Sequence, residues 1–147
     1  PAPMTAERAQ STASIIGLSL PLGVTLMAGV AWFVGGAAPR SEPEFARILI
    51  YAWIALTAVT GMTSLFFWRS RVEPLISGHE PLPAARMNEL MTGLIITWAL
   101  IEPASLFGII IYLLHGTLWV AITALLLSWG VALATRPQLE WFQRFRG

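Results

Sequence analysis

The sequence predicts an all-α integral membrane protein: a four-helix bundle with both termini in the cytoplasm and a third helix kinked at Pro103. Three observations predict it. Hydrophobic residues make up 56% of the 147 positions and charged residues only 12%. The apolar residues gather into four blocks, each near the length needed to cross a hydrocarbon core of about 30 Å. The arginines, finally, are shared unevenly between the connections. Four crossings of about 20 residues would use more than half of the chain, so residues 1–147 read as one transmembrane domain with little left over for a soluble one.

The first helix is expected over 12–34. The segment before it, PAPMTAERAQ, carries Glu7 beside its only Arg, and the apolar block is too long for the h-region of a signal peptide, so this helix is expected to be retained. A start at Pro1 fits removal of an initiator Met. The second helix is expected over 46–68. Small residues recur in both at the spacing used for close helix packing: Ser19 with Gly23, Thr25 with Gly29, Thr57 with Gly61, and Thr60 with Ser64. The central loop, RSRVEPLISGHEPLPAARMNE, is punctuated by Pro74, Gly78, Pro81 and Pro83. Pro83 suits the first turn of a third helix over 84–114, which would protrude from the membrane before entering its apolar stretch at Leu90. His115-Gly116 is a very tight link, so the third helix and the fourth, over 117–134, should be an antiparallel pair. In the tail, 137–147, Leu139, Trp141, Phe142 and Phe145 alternate with Glu140, Arg144 and Arg146. That reads as a short amphipathic segment at headgroup level, with Trp141, Phe142, Arg144 and Phe145 as its interfacial anchors. Trp32, Trp53, Trp68, Trp119 and Trp129 fall near predicted helix ends, as an aromatic belt would place them, and only Trp98 lies deep.

Orientation follows from arginine placement. The N-terminal tail, central loop and C-terminal tail carry Arg8, Arg69, Arg71, Arg86, Arg136, Arg144 and Arg146, whereas the other side has Arg40 and Arg47. By the positive-inside rule both termini and the central loop are cytoplasmic.

Several kinds of chemistry are excluded. The chain has no Cys, which removes disulfides, iron-sulfur ligation, zinc-thiolate sites and thiol nucleophiles. Its net charge is +1 and it has no basic run, so no nucleic-acid partner is expected. His79 and His115 fall on opposite sides of the membrane and cannot jointly hold a haem or metal. No paired carboxylates, serine triad, phosphate loop or dinucleotide fingerprint occurs. An enzyme is not expected, nor a cofactor of its own.

What remains is Glu102, a single carboxylate near the middle of an apolar run, followed by Pro103. A charge at bilayer depth costs about 2.5–3.5 kcal/mol on insertion scales, so an intramembrane Glu is a functional candidate. On a helical wheel Trp98, Glu102, Ser105, Ile109 and Tyr112 form one narrow semi-polar stripe. Thr57 and Thr60, Thr123, and Ser19 or Thr25 are expected at about the same depth, offering hydroxyls but no cation. Apolar surroundings without a positive partner favour the protonated form of the acid. Pro103 should in addition free the carbonyl of Ala99, giving that acid an acceptor. Glu102 is then either a neutral donor joining helices or an acid that exchanges a proton or Na⁺.

The stretch MTGLIITWALIEPASLFGIII resembles the carboxylate-bearing helix of rotor-ring proteolipids of rotary ATPases, in which a Glu is followed by an aromatic-Gly pair, here Phe107-Gly108. The loop RVEPLISGHEP is similar to that of the proteolipid hairpin. This likeness implies that Glu102 is an ion-binding carboxylate. Most of the chain also resembles a group of small bacterial four-helix membrane proteins through Ala99, Leu100, Glu102, Leu106, Phe107, Gly108 and Pro137, which implies the topology and a place in the bacterial inner membrane, and brings no activity. Because helix 2 lacks the dense glycine repeat of a ring and two further helices flank the hairpin, the expectation is a non-enzymatic accessory subunit. It would pack laterally against other transmembrane subunits and lipid in a larger energy-transducing complex, respiratory or photosynthetic. The alternative is a proteolipid-like protein that translocates H⁺ or Na⁺ through Glu102.

Overall fold

The computed structural model describes residues 4–35 and 42–146. Helix α1 spans Ala6–Gly35 and α2 spans Pro43–Phe67, which passes through a π-helical turn, Trp68–Val72, into the short α3, Glu73–Ile76. A two-residue strand β1 (Leu82–Pro83) and a 3-10 turn (Ala84–Arg86) lead into α4, Met87–His115. Helix α5 (Leu118–Ala134), the short α6 (Leu139–Gln143) and strand β2 (Phe145–Arg146) complete the chain. Three stretches, Ala6–Gly35, Pro43–Ile76 and Ala84–His115, are long and apolar enough to cross a membrane; α5 is shorter, at 17 residues. Part of the expected connection before helix 2, including Arg40, lies outside the described residues.

Local chemistry explains the boundaries. Helix α1 begins six residues before the expected Thr12, because Thr5 caps it: the Thr5 hydroxyl accepts from the Arg8 N–H at 3.3 Å, and its carbonyl accepts from Ala9. Helix α2 starts with Pro43 at its first position and Glu44 in its first turn, both suited to a helix N-terminus. The tight link after α4 depends on Gly116, whose φ of 70° is left-handed and whose N–H closes on the Tyr112 carbonyl at 2.7 Å. A side chain is strained there, and glycine is not.

Helix α4 is the hub. It packs against α1, α2 and α5; α1 also meets α5 and α6, whereas among the long helices α2 rests chiefly on α4. Glycines let large side chains close these contacts. A Cβ on Gly17 would lie 2.9 Å from the Trp98 ring, and one on Gly108 would lie 2.9 Å from the Ala124 Cβ and 3.0 Å from Trp53 Nε1. The face of α1 turned inward is Ala9, Ala13, Gly17 and Pro21, a small-residue ridge at spacing four. By contrast, a Cβ at Gly23 or Gly29, the glycines of the expected packing pairs, would meet nothing within 4 Å. Pro21 and Pro103 both lie inside helices, and α4 stays one α-helical element through Pro103.

The tail departs from expectation. Phe142 is fully buried and Phe145 is 7% exposed, in one cluster with Ala9, Val72, Leu75, Met87, Leu90 and Trp98. Arg144 turns inward to the loop, donating from its Nη1 to the Leu75 carbonyl at 2.6 Å and from its Nη2 to the Glu80 carbonyl at 3.0 Å. The Leu82 N–H returns a bond to the Arg144 carbonyl at 2.7 Å, and β2 pairs in parallel with β1. Trp141 meets Trp68 edge to face. Phe142, Arg144 and Phe145 are thus parts of a folded cap over one end of the bundle rather than headgroup anchors. The physical reason is that the loop supplies apolar cover and unpaired carbonyls that a flat membrane surface cannot.

Candidate functional site

Glu102 is half-buried where three helices meet. It lines a cavity of about 10 Å³ with Gly17, Leu20 and Pro21 of α1, Trp98 and Ile101 of α4, and Ser128, Val131 and Ala132 of α5. That is room for one water at most. Pro21 has no N–H, so the carbonyl of Gly17, four residues back, loses its helical donor. In a membrane a backbone group without a partner costs several kcal/mol unless a neighbour supplies one. Glu102 and the Ser128 hydroxyl border the same cavity as Gly17 and Pro21, so both are placed beside that carbonyl. The acceptor expected for Glu102, a carbonyl freed by Pro103 in its own helix, therefore has a counterpart on α1.

Around this junction the tryptophans are tied by hydrogen bonds. The Trp98 indole N–H donates to the Thr135 hydroxyl at 2.7 Å, which in turn donates to the Val131 carbonyl at 2.6 Å. The Trp129 indole donates to the Thr25 hydroxyl at 2.9 Å, which donates to the Pro21 carbonyl at 2.8 Å. Each relay joins α5 to a neighbour. Trp98 also fills the notch at Gly17, and it therefore packs α4 against α1 and α5 at once.

The candidate residues divide into two groups. Ser105 is fully buried one turn beyond Glu102 and donates weakly to the Ile101 carbonyl at 3.5 Å. Tyr112 stacks on Trp32 of α1, with ring centroids 6.5 Å apart. Tyr112 thus continues the stripe toward α1. Thr57 and Thr60 belong instead to α2. Thr60 donates to the Leu56 carbonyl of its own helix at 2.8 Å, and the Thr57 hydroxyl is buried with no partner among the described residues. The face of α4 that receives α2 carries Gly93, Thr97, Ala104 and Gly108, about 150° around the helix from Glu102 at roughly 100° per residue. There Trp53 Nε1 donates to the Ala104 carbonyl at 2.9 Å, and Ser64 Oγ donates to the Thr97 carbonyl at 3.0 Å. Neither Thr57 nor Thr60 lines the Glu102 cavity. Thr123 and Ser19, the other expected hydroxyls, are turned to carbonyls of their own helices.

Sequence reasoning missed Gly17, Pro21 and Ser128. A signal for Pro21 was available, since a proline inside an apolar block frees a carbonyl wherever it occurs. Ser128 carries no local signal, because only the packing of α5 brings it to Glu102. Among the described residues no group of three His, Asp or Glu side chains could hold a metal ion. No family model, curated protein or solved structure matches this chain.

Proposed function

We propose that this chain is a non-enzymatic integral membrane protein that packs laterally in a larger membrane complex, crossing the bilayer four times with both termini and the central loop in the cytoplasm. The observation that carries this reading is the state of α2. It is long and apolar, yet only Trp53 and Ser64 of its 25 residues are buried, and its flank toward α5 borders an open groove of about 400 Å³ lined by Gly61, Leu65, Trp68, Leu127 and Ala134. A helix held on one neighbour, with a glycine in an open groove, offers the close approach that helix association in lipid uses. The choice of an energy-transducing host, in a bacterial inner membrane, rests on the likeness of the hairpin to rotor-ring proteolipids and of the chain to small bacterial four-helix proteins. In this reading α4 bends at Pro103, and Glu102 is a neutral donor that closes the α1/α4/α5 junction.

Gentle solubilisation followed by mass spectrometry of co-purifying subunits, with their stoichiometry, tests the proposal. One or two copies beside larger subunits is the expected result, and a ring of many identical copies favours ion translocation. The same choice is read at Glu102. Glu102→Gln keeps size and hydrogen bonding, so assembly should survive, whereas Glu102→Ala leaves unpaired polar groups at a cost of about 1–3 kcal/mol. Loss of H⁺ or Na⁺ flux in a normally assembled Glu102→Gln variant would establish the proteolipid-like alternative.

A further inference from the structure

The arginines at the capped end of the bundle divide by use. Arg86 is ion-paired with Glu89 at 3.1 Å, and Arg144 is consumed by the carbonyls of Leu75 and Glu80. Arg136 makes no ion pair and no side-chain hydrogen bond among the described residues, and it stands at the mouth of a groove between α1 and α5. The groove encloses about 280 Å³ and is otherwise lined by Ser14, Gly17, Leu18, Ala132, Leu133 and Pro137. Its rim is built, since Pro137 is buried and its carbonyl accepts from the Gln10 side chain at 3.5 Å.

The length of α5 decides where that cation sits. Its 17 residues rise about 26 Å, short of a hydrocarbon core of about 30 Å. A short span is accommodated by thinning the bilayer or by flanking residues that reach for the headgroups. Arg136, two residues beyond the end of α5, is therefore held near the level of the lipid phosphates, with an apolar groove running inward beneath it.

We propose that the α1/α5 groove is a binding site for one anionic phospholipid, with its phosphate on the Arg136 guanidinium and an acyl chain along Leu18, Ala132 and Leu133. Charge at the mouth and apolar lining below select a molecule that is anionic at one end and hydrocarbon at the other. Arg69 and Arg71 are exposed cations at the same end of the bundle; Arg71 borders a separate groove that it shares with Glu89, whereas no carboxylate lines the α1/α5 groove of Arg136.

The proposal rests on the membrane reading, and the test separates the two. The full chain, purified in detergent, is loaded with phosphatidylglycerol or with phosphatidylcholine of the same chains, and native mass spectrometry reads the lipid retained. Wild type should keep one phosphatidylglycerol in preference to phosphatidylcholine. Arg136→Gln should lower that retention about five-fold, the worth of one arginine beside an anionic lipid surface. Leu18→Trp, which keeps the charge and fills the groove, should lower it too, and Arg69→Gln should leave it unchanged. Excess inorganic phosphate should not displace the lipid, because phosphate lacks the chain. Equal retention of the two lipids by wild type overturns the site without recourse to any variant, as does full retention in Arg136→Gln or displacement by phosphate. Carbonate-resistant membrane fractionation of wild type reports on the membrane reading independently. A chain that fractionates with the membrane but shows no lipid preference loses only the lipid site.

Discussion

Helices α4 and α2 are both long enough and apolar enough to cross a membrane, yet 50% of the most apolar window of α4 is buried inside the protein against 11% for α2. The difference lies in which residues interrupt the apolar run. Helix α4 carries small or notching residues on several faces, with Gly93, Ala104, Ser105 and Gly108 among its buried positions, so three neighbours approach it closely. On α2 only one face, with Trp53, Thr57, Thr60 and Ser64, is turned inward, and the rest presents Ile48, Ile54, Val59, Met62 and Phe66 outward. In lipid, apolar side chains give helices no reason to associate, because the solvent is equally apolar. Small residues and polar pins decide who touches whom.

The comparison breaks most readily at Trp98. This side chain is 4% exposed, fills the Gly17 notch and donates to Thr135, so it bears on three helices together. Trp98→Ala should cost about 3–5 kcal/mol, the range for deleting a large buried aromatic. Denaturant titration in mixed micelles, followed by circular dichroism, measures it. A loss below about 1 kcal/mol would mean that α4 is not the hub described.

Next in size is Gly108→Val. Its new Cβ meets both the Ala124 Cβ and the Trp53 indole, so α2 and α5 are pushed off α4 together. Overpacking of this kind costs about 1–3 kcal/mol. The same substitution at Gly61, where a Cβ meets nothing within 4 Å, should be tolerated in the isolated chain. Equal damage from the two would show that the open flank of α2 is already filled.

Much of this architecture is legible in the sequence. The long helices follow from apolar block length, and the antiparallel α4/α5 pair follows from His115-Gly116, where only glycine accepts the left-handed backbone. Glu102 also announces itself, since an acid in an apolar run is rare and costly. Its surroundings do not. Depth in the membrane can be estimated from residue number, but rotation about each helix axis cannot, so the sequence groups Thr57 and Thr60 with Glu102 by depth while α2 packs on another face of α4. The tail is ambiguous in sequence for a related reason. Alternation of Phe142 and Phe145 with arginines reads the same whether the apolar face meets lipid or a protein loop, and only the carbonyls of Leu75 and Glu80 decide it.

A smaller effect sharpens the α2 side. Trp53 and Ser64 pin α2 to α4, and intramembrane hydrogen bonds of this kind average about 0.6 kcal/mol. Trp53→Phe should therefore cost about that much, together with a little packing. Thr57→Val should have the opposite sign, because it removes a buried hydroxyl that has no partner among the described residues. The chain lacks cysteine, so pairs introduced on α2 and α4 report the loosening or tightening directly through disulfide trapping. A destabilising Thr57→Val would show that the hydroxyl has a partner in the membrane after all.

The smallest effect on stability is the most informative about function. Phe66 is 73% exposed on the outer flank of α2, and outside the membrane such a side chain would be an aggregation liability. Within lipid it is content, so Phe66→Ala should change the stability of the isolated chain by no more than about 0.5 kcal/mol. If α2 faces only lipid, nothing else should change. If α2 is the face that meets a larger complex, truncating this aromatic should weaken co-purification of the partner subunits while leaving expression and unfolding untouched, since aromatic side chains carry a disproportionate share of interface energy. Quantitative mass spectrometry of the solubilised complex, with wild type and Phe66→Ala compared at equal expression, separates these outcomes. Unchanged recovery of every partner would show that the open flank of α2 is a lipid surface, and the lateral contact would have to be sought on the outer face of α1, where Leu26 and Phe33 are 72% and 86% exposed.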